Sequence, residues 1–310
     1  MRRYRGGMSS FVVVGESVAD IVRKPGREDV VHAGGSPANV AYGLARLGRR
    51  AALLTQLGAD PVGGLIADHL RGAGVELLTD GQDGVPTPTA VVTLGPDGQP
   101  SYDLDVRWTL TDTGVAPADH LHLGSVAALL EPGAAAVLAL AERMRAAGAT
   151  VSYDPNVRPA LLGSPAEALP KVERCVAVAD LVKASDEDLA WLYPGRAERE
   201  VAEHWLALGP AVVLVTRGAA GSAAYTRYAG AEQGAAPAEV VDTVGAGDSF
   251  TAAVLDRLAS RGLLGAAARP ALAVLDQREL TWLLRYAGRA ASLTVSRAGA
   301  NPPTAAELSA

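Results

Sequence analysis

At 310 residues, with 49% hydrophobic and 20% charged side chains, the chain can bury one large core or two modest ones and reads as a soluble globular protein. Its formal net charge of −6 lacks the basic footprint of a nucleic-acid or anionic-membrane partner, so any phosphate it handles falls to local groups. A single cysteine, Cys175, excludes an internal disulfide and a cysteine-only metal cage; it fits a reducing cytoplasm and is expected as a small buried hydrophobe.

The N-terminus, Met1-Arg2-Arg3-Tyr4-Arg5, carries the charge of a signal peptide, but the apolar run at 11–14 is too short for one, and no stretch is long enough to span a membrane. Residues 1–9 are expected as a loose tail, with Met8 an alternative start, and 10–310 as a single domain without linker or internal repeat. From residue 11 onward, short apolar runs alternate with helical patterns. Strands are predicted over 11–15, 51–56, 120–123, 150–154, 181–183 and 212–216, and helices over segments such as 61–70 and 134–147. That alternation predicts an α/β fold, a parallel sheet covered on both faces, in which ligands sit beyond the carboxyl ends of the strands. Glu16, Asp154, Asn156, Lys183, Ser185, Thr216 and Gly218 fall just there.

Two stretches break the alternation. Residues 18–32 and 86–108 are rich in β-branched residues and turn formers, and Gly95-Pro96-Asp97-Gly98 reads as a hairpin tip, so a small β lid is expected. Arg107 lies in that lid, where it points at a substrate or is simply a solvated charge.

Between them, Gly34-Gly35-Ser36-Pro37-Ala38-Asn39 runs into Leu44, Leu47 and Gly48. Ser36 is predicted as N-cap, Pro37 as the first helical residue and Gly48 as the stop. The glycine pair allows a ligand close to the backbone, and Asn39 offers donors and an acceptor in the first turn, although a solvated polar position would also explain it. Further on, Asp154-Pro155-Asn156-Val157-Arg158-Pro159 follows a strand and is fixed by its prolines. Asn156 and Arg158 can reach a sugar or phosphate from there; Arg158 paired with a nearby carboxylate is the alternative.

The most informative stretch is Asp242-Thr243-Val244-Gly245-Ala246-Gly247-Asp248-Ser249-Phe250. Small residues let backbone N–H groups converge on an anion, and Phe250, Ala253, Val254 and Leu258 recur at helical spacing, placing this cradle at a positive helix N-terminus. Asp248 is then a negative charge beside a site for negative charge, which a general base for phosphoryl transfer explains and a plain N-cap explains less well. No GxxxxGK[ST] loop occurs, so a P-loop kinase is excluded.

These motifs together resemble the ribokinase-like (PfkB) carbohydrate kinase family, from the first strand to Gly299-Ala300-Asn301. The resemblance implies a three-layer α/β/α sandwich with a β lid that closes over the sugar and, in many relatives, forms a homodimer contact. It implies catalysis by Asp248 with an anion hole at Gly245, Ala246 and Gly247, and a sugar site at Gly34, Gly35 and Asn39, with Asp20 as a sugar-binding carboxylate and Glu16 a weaker candidate. Gly15-Glu16 and the DPNxRP segment look like the fructokinase and 2-keto-3-deoxygluconate kinase branch.

For ATP, the resemblance implies contacts at Thr216, Gly218 and Gly221, at Asn301, and at Lys183-Ala184-Ser185-Asp186-Glu187-Asp188, which departs from the family's NxxE motif in having Ser185 and Asp188. Mg²⁺ is implied through water at Asp188 and Glu187, and K⁺ at carbonyls around Asp242 and Val244. The expected activity is transfer of the ATP γ-phosphate to a sugar hydroxyl, with fructose to fructose 6-phosphate foremost. 2-Keto-3-deoxygluconate, ribose or a nucleoside are alternative substrates, and a catalytically silent sugar sensor on the same fold is the alternative of another class.

Overall fold

The computed structural model describes residues 10–23, 28–79, 82, 84–94, 100–111 and 114–309. The expected N-terminal tail and the hairpin tip at 95–98 lie outside these residues. Strand and helix alternate in the order β1 (Ser10–Val14), β2 (Val18–Arg23), β3 (Val30–Gly34), α1 (Ser36–Arg46), β4 (Arg50–Leu54), α2 (Pro61–Gly72), β5 (Glu76–Leu77), β6 (Thr89–Leu94), β7 (Pro100–Asp105), β8 (His120–Gly124), α3 (Gly133–Ala146) and β9 (Thr150–Asp154). There follow α4 (Pro159–Leu162), α5 (Pro165–Val178), β10 (Leu181–Ser185), α6 (Asp186–Leu192), α7 (Glu198–Leu208), β11 (Val212–Thr216), β12 (Ser222–Tyr225), β13 (Gly230–Gln233), α8 (Ala246–Ser260), α9 (Arg269–Ala273), α10 (Gln277–Val295) and α11 (Ala305–Ser309).

Successive side chains of a strand point to opposite faces, and β1 shows why this sheet needs helices on both. Val12 and Val14 pack into one apolar cluster and Phe11 and Val13 into another, all four buried. Leu140 of α3, Val172 of α5 and Trp205 of α7 fill the first layer; Leu44 of α1, Ile66 of α2, Phe250 of α8 and Leu284 of α10 fill the second. Each such side chain contributes about 1.5–3 kcal/mol on full burial, so these faces rather than local helix propensity hold the layers together.

The main sheet has nine strands in the order β13-β12-β11-β10-β9-β8-β1-β4-β5. It is parallel from β11 to β5, with β12 and β13 antiparallel at the edge. This is the expected three-layer sandwich. The two edge strands β12 and β13 and the short β5 escape prediction; β12, Ser-Ala-Ala-Tyr, is too short and alanine-rich to show a strand period. A second sheet of four strands, β3-β2-β6-β7, is built from the two stretches expected as a lid, with β3 continuing to Gly34.

The start of α1 differs from expectation. Its N-cap is Gly35, at φ 97°, and Ser36 is already helical. The Ser36 hydroxyl is free for a tertiary hydrogen bond because it caps nothing. At the other end Gly48, at φ 81°, follows the C-cap Leu47 and stops the helix as predicted. β4 ends two residues before the predicted limit, because Thr55 and Gln56 turn away to bond Ser17 Oγ and the backbone and side chain of Thr109. Cys175 is buried in the first cluster, as expected. In register, Gly124 pairs with Asp154 and Ser185 with Thr216, so the carboxyl ends of β8 to β11 share one edge, and the polar residues that follow them face it together.

Candidate active site

The first turn of α8 is shaped by its N-cap, Gly245, at φ 76°. A Cβ there would also stand 2.6 Å from Ala300 Cβ, so both the left-handed backbone and the neighbouring loop require glycine. Ala246, Gly247 and Asp248 follow, with amides that have few or no acceptors inside a helix and a partial positive charge behind them. The cradle read from the sequence is therefore present as a helix N-terminus.

Asp248 lies in that turn and is oriented by α1. Ser36 Oγ donates to Asp248 Oδ1 at 2.6 Å and Asn39 Nδ2 donates to Oδ2 at 2.8 Å. Ser36 and Asn39 are three residues apart, hence on one helix face. A carboxylate offers about four lone-pair sites, so two remain for an incoming hydroxyl. Below the turn, Lys183 Nζ stands 3.0 Å from Asp154 Oδ2, both side chains buried. Asp154 Oδ1 also accepts the Asn156 N–H at 3.2 Å.

Of the residues expected to meet the sugar, Asp20 packs against Gly34, where any Cβ would strike its carboxylate. Burial raises the Asp20 pKa, His32 and Arg158 oppose this, and Asp248 adds to it, which ties Asp20 electrostatically to Asp248 and Arg158. Gly35 lies close over the backbone of Glu16 and Ser17. Glu16 itself turns inward: it is 3% exposed, accepts the Ala127 N–H at 3.1 Å, and burial pushes its pKa up to about 7 against a Ser125 hydrogen bond and the charge of Arg158. Asn156, at φ 35°, donates to Ser125 Oγ, itself at φ 58°, and accepts from Arg158 Nη1 at 2.9 Å. Arg107 is not gathered with these groups. Its side chain is 71% exposed, 3.4 Å from Asp105 Oδ1, and among the described residues it makes no hydrogen bond to Asp20, Asn39 or Asp248.

On the other side, Ser185 caps α6: its Oγ accepts the Asp188 N–H at 3.0 Å, and Asp188 Oδ2 accepts the Ser185 N–H at 2.8 Å. Asp188 Oδ1 takes the Val157 N–H at 2.8 Å, so this acid ties the loop after β9 to α6. Glu187 is exposed. Among the described residues no group of three or more His, Cys, Asp or Glu is arranged to hold a metal ion. Asp188, with both oxygens engaged by backbone, fits a magnesium site only through water. Thr216 ends β11, and Gly218 and Gly221, at φ 50° and 97°, shape the turn after it. Asp242 bonds the Val244 and Gly299 amides at 3.0 and 2.9 Å, and these bonds, the Val244 one foremost, hold its pKa below the usual carboxylate range. That clasp brings the exposed Val244 and Asn301 segments beside Gly245.

Sequence reading misses Ser36 and Ser125 as site residues and places Asp154 at the strand ends without giving it a role. The i, i+3 spacing from Asn39 is the signal for Ser36, and the strand-end position the signal for Asp154; the backbone of Ser125 leaves no trace in the sequence. The arrangement suits phosphoryl transfer: an oriented carboxylate, a helix N-terminus and a buried ammonium converge on one point at the strand ends.

The comparisons with known proteins agree. The pfkB family carbohydrate kinase pattern matches residues 8–307. Fructokinase of Salmonella typhimurium is 33% identical over 265 residues, covering 81% of this chain and 85% of that protein. Among solved structures, fructokinase with bound ATP from Xylella fastidiosa superposes with a TM-score of 0.84 at 28% identity, covering 96% of each chain. A fructokinase double mutant from Vibrio cholerae O395, in fructose, ADP and potassium ion bound form, gives 0.81 at 27% identity over 98% of this chain and 99% of that one. With the fold, the strand-end site and a match across nearly its whole length in accord, the chain belongs to the PfkB family and is a carbohydrate kinase.

Proposed function

We propose that this kinase is an ATP-dependent fructokinase in which Asp248 is the general base. The observation that carries the reading is the carboxylate of Asp248, held by Ser36 and Asn39 at the N-terminus of α8. Asp248 accepts the proton of the sugar hydroxyl, whose oxygen attacks the γ-phosphorus in line, while the amides of the Ala246–Asp248 turn meet the transferring charge. No covalent enzyme intermediate is needed. Magnesium, when bound, would neutralise charge on the phosphates, and Asp188 and Glu187 would hold it through water. Carbonyls of Asp242 and Val244 would hold K⁺, a reading supported by the Asp242 clasp that fixes this loop and by the potassium-bound relative.

The four-stranded sheet closes over the sugar and excludes water, limiting ATP hydrolysis, and pairs two copies into a homodimer in the cytoplasm. A monomer mass in light scattering at working concentration overturns the dimer. A keto-acid substrate is disfavoured because Arg158 Nη1 is engaged by Asn156 and the Val157 carbonyl and Arg107 lies in solvent beside Asp105. A silent sensor is disfavoured by an intact Asp248. The test is ADP production with Mg-ATP across fructose, 2-keto-3-deoxygluconate, ribose, glucose and adenosine. A fructose preference is expected; another preferred sugar moves the substrate, and no turnover overturns the reading.

A further inference from the structure

A polar column runs through the sheet toward the site. His120 Nδ1 contacts Thr150 Oγ1 at 2.9 Å, and His120 Nε2 and His122 Nδ1 each contact Ser152 Oγ at 2.8 Å, all buried. The pairing of His122 with Ser152 and Gly124 with Asp154 continues the same face to Asp154, whose carboxylate holds Lys183 Nζ at 3.0 Å. At the column's end, a Cβ on Gly247 would stand 3.0 Å from Lys183 Nζ. The ammonium therefore lies directly against the first turn of α8.

An ammonium and the positive end of a helix on one spot repel each other unless an anion lies between them. Lys183 has three donors, and among the described residues its one hydrogen bond is to Asp154, so two donors remain for that anion. The charged and titratable groups around it are Asp154 on β9, Asp188 on α6, Asp248 on α8 and His122 on β8. Burial disfavours the ammonium, but the three carboxylates outweigh it and the Lys183 pKa is raised, so the charge is retained.

We propose that Asp154 is a positioning residue for phosphoryl transfer: it fixes Lys183 Nζ under Gly247, where the ammonium meets the transferred phosphoryl group together with the amides of α8. This rests on the kinase reading above. Lys183 is then the side-chain cation of the anion hole, a role the backbone motif does not reveal, and Asp154 acts only through it.

The experiment compares kcat and KM for Asp154→Asn, Lys183→Met and the double variant, with fructose and Mg-ATP. Each single change is expected to lower kcat by about 100-fold, as loss of one preorganised donor does, with fructose KM within about two-fold. The double variant should fall no further than Lys183→Met, since Asp154 has nothing left to position. A rise in fructose KM without loss of kcat, or losses that multiply, overturns the proposal. If Asp154→Asn fails to fold because a buried ammonium is left without its counter-ion, Lys183→Met against the double variant decides in the same way. Titration of ATP and of AMP without sugar separates this test from the choice of sugar: Lys183→Met should weaken ATP by about ten-fold and leave AMP unchanged. Equal weakening of both nucleotides overturns the assignment.

Discussion

Asn39 Nδ2 donates to Asp248 Oδ2 at 2.8 Å, joining the first turn of α1 to the first turn of α8 across 209 positions of sequence. With Ser36 on the other oxygen, the carboxylate is aimed by a helix that belongs to a different motif. The two sequence signatures are thus one device. Asp248→Asn keeps the shape but removes the base, and kcat should fall by about 10²–10⁴-fold while ATP and fructose still bind in calorimetry. Near-normal turnover sinks the assigned role.

Asn39→Ala leaves Asp248 with Ser36 alone. The base survives but its orientation loosens, so a loss of about ten-fold in kcat is expected, well short of that for Asp248→Asn. Single-turnover kinetics at saturating ATP and sugar give the number. A loss as large as that of Asp248→Asn would mean that Asn39 does more than aim the carboxylate.

Gly245→Ala separates backbone strain from crowding. The left-handed φ of 76° costs a non-glycine residue about 1–2 kcal/mol, and the Cβ also meets Ala300 at 2.6 Å. Chemical denaturation should therefore show a loss larger than the strain alone. Ala300→Gly in the same background relieves the contact but not the backbone, so it should recover part of the loss and never all of it. Complete recovery would show that the φ of Gly245 is not held in solution.

Much of the sheet was legible because strands such as β1 and β11 carry an apolar run flanked by turn residues, and the cradle because glycines and Asp248 sit at the head of a helical pattern. The partners of Asp248 were not. Ser36 reads as an N-cap from local sequence, but Gly35 takes that place, and the packing of α1 against α8 brings the freed hydroxyl to Asp248. Arg107 and Glu16 end in opposite surroundings: one charge stays in solvent beside Asp105, the other is drawn in beneath Ala127. Burial of a charged side chain depends on what covers it, and sequence spacing does not encode the cover.

The buried histidines give the protein an acid sensitivity with a defined sign. Burial pushes both His120 and His122 down to about 3, assisted by each other's charge at His120 and by Lys183 at His122. In the unfolded chain a histidine titrates near 6.5, so between about 3 and 6.5 the unfolded state binds more protons than the folded one. Stability then rises with pH through that window and is lost as pH falls through it, by up to about 1.4 kcal/mol per pH unit for each histidine. Glu16 and Asp154, raised by burial to about 7 and about 6, titrate in the opposite sense over part of the same range, so the wild-type slope alone is ambiguous. The difference between wild type and His122→Gln isolates the histidine. At pH 7.5 the variant should be the less stable of the two, having changed the bond to Ser152, and in urea unfolding the gap should narrow steadily toward pH 5. A gap that stays constant over that range would mean that His122 is not held neutral in the folded protein.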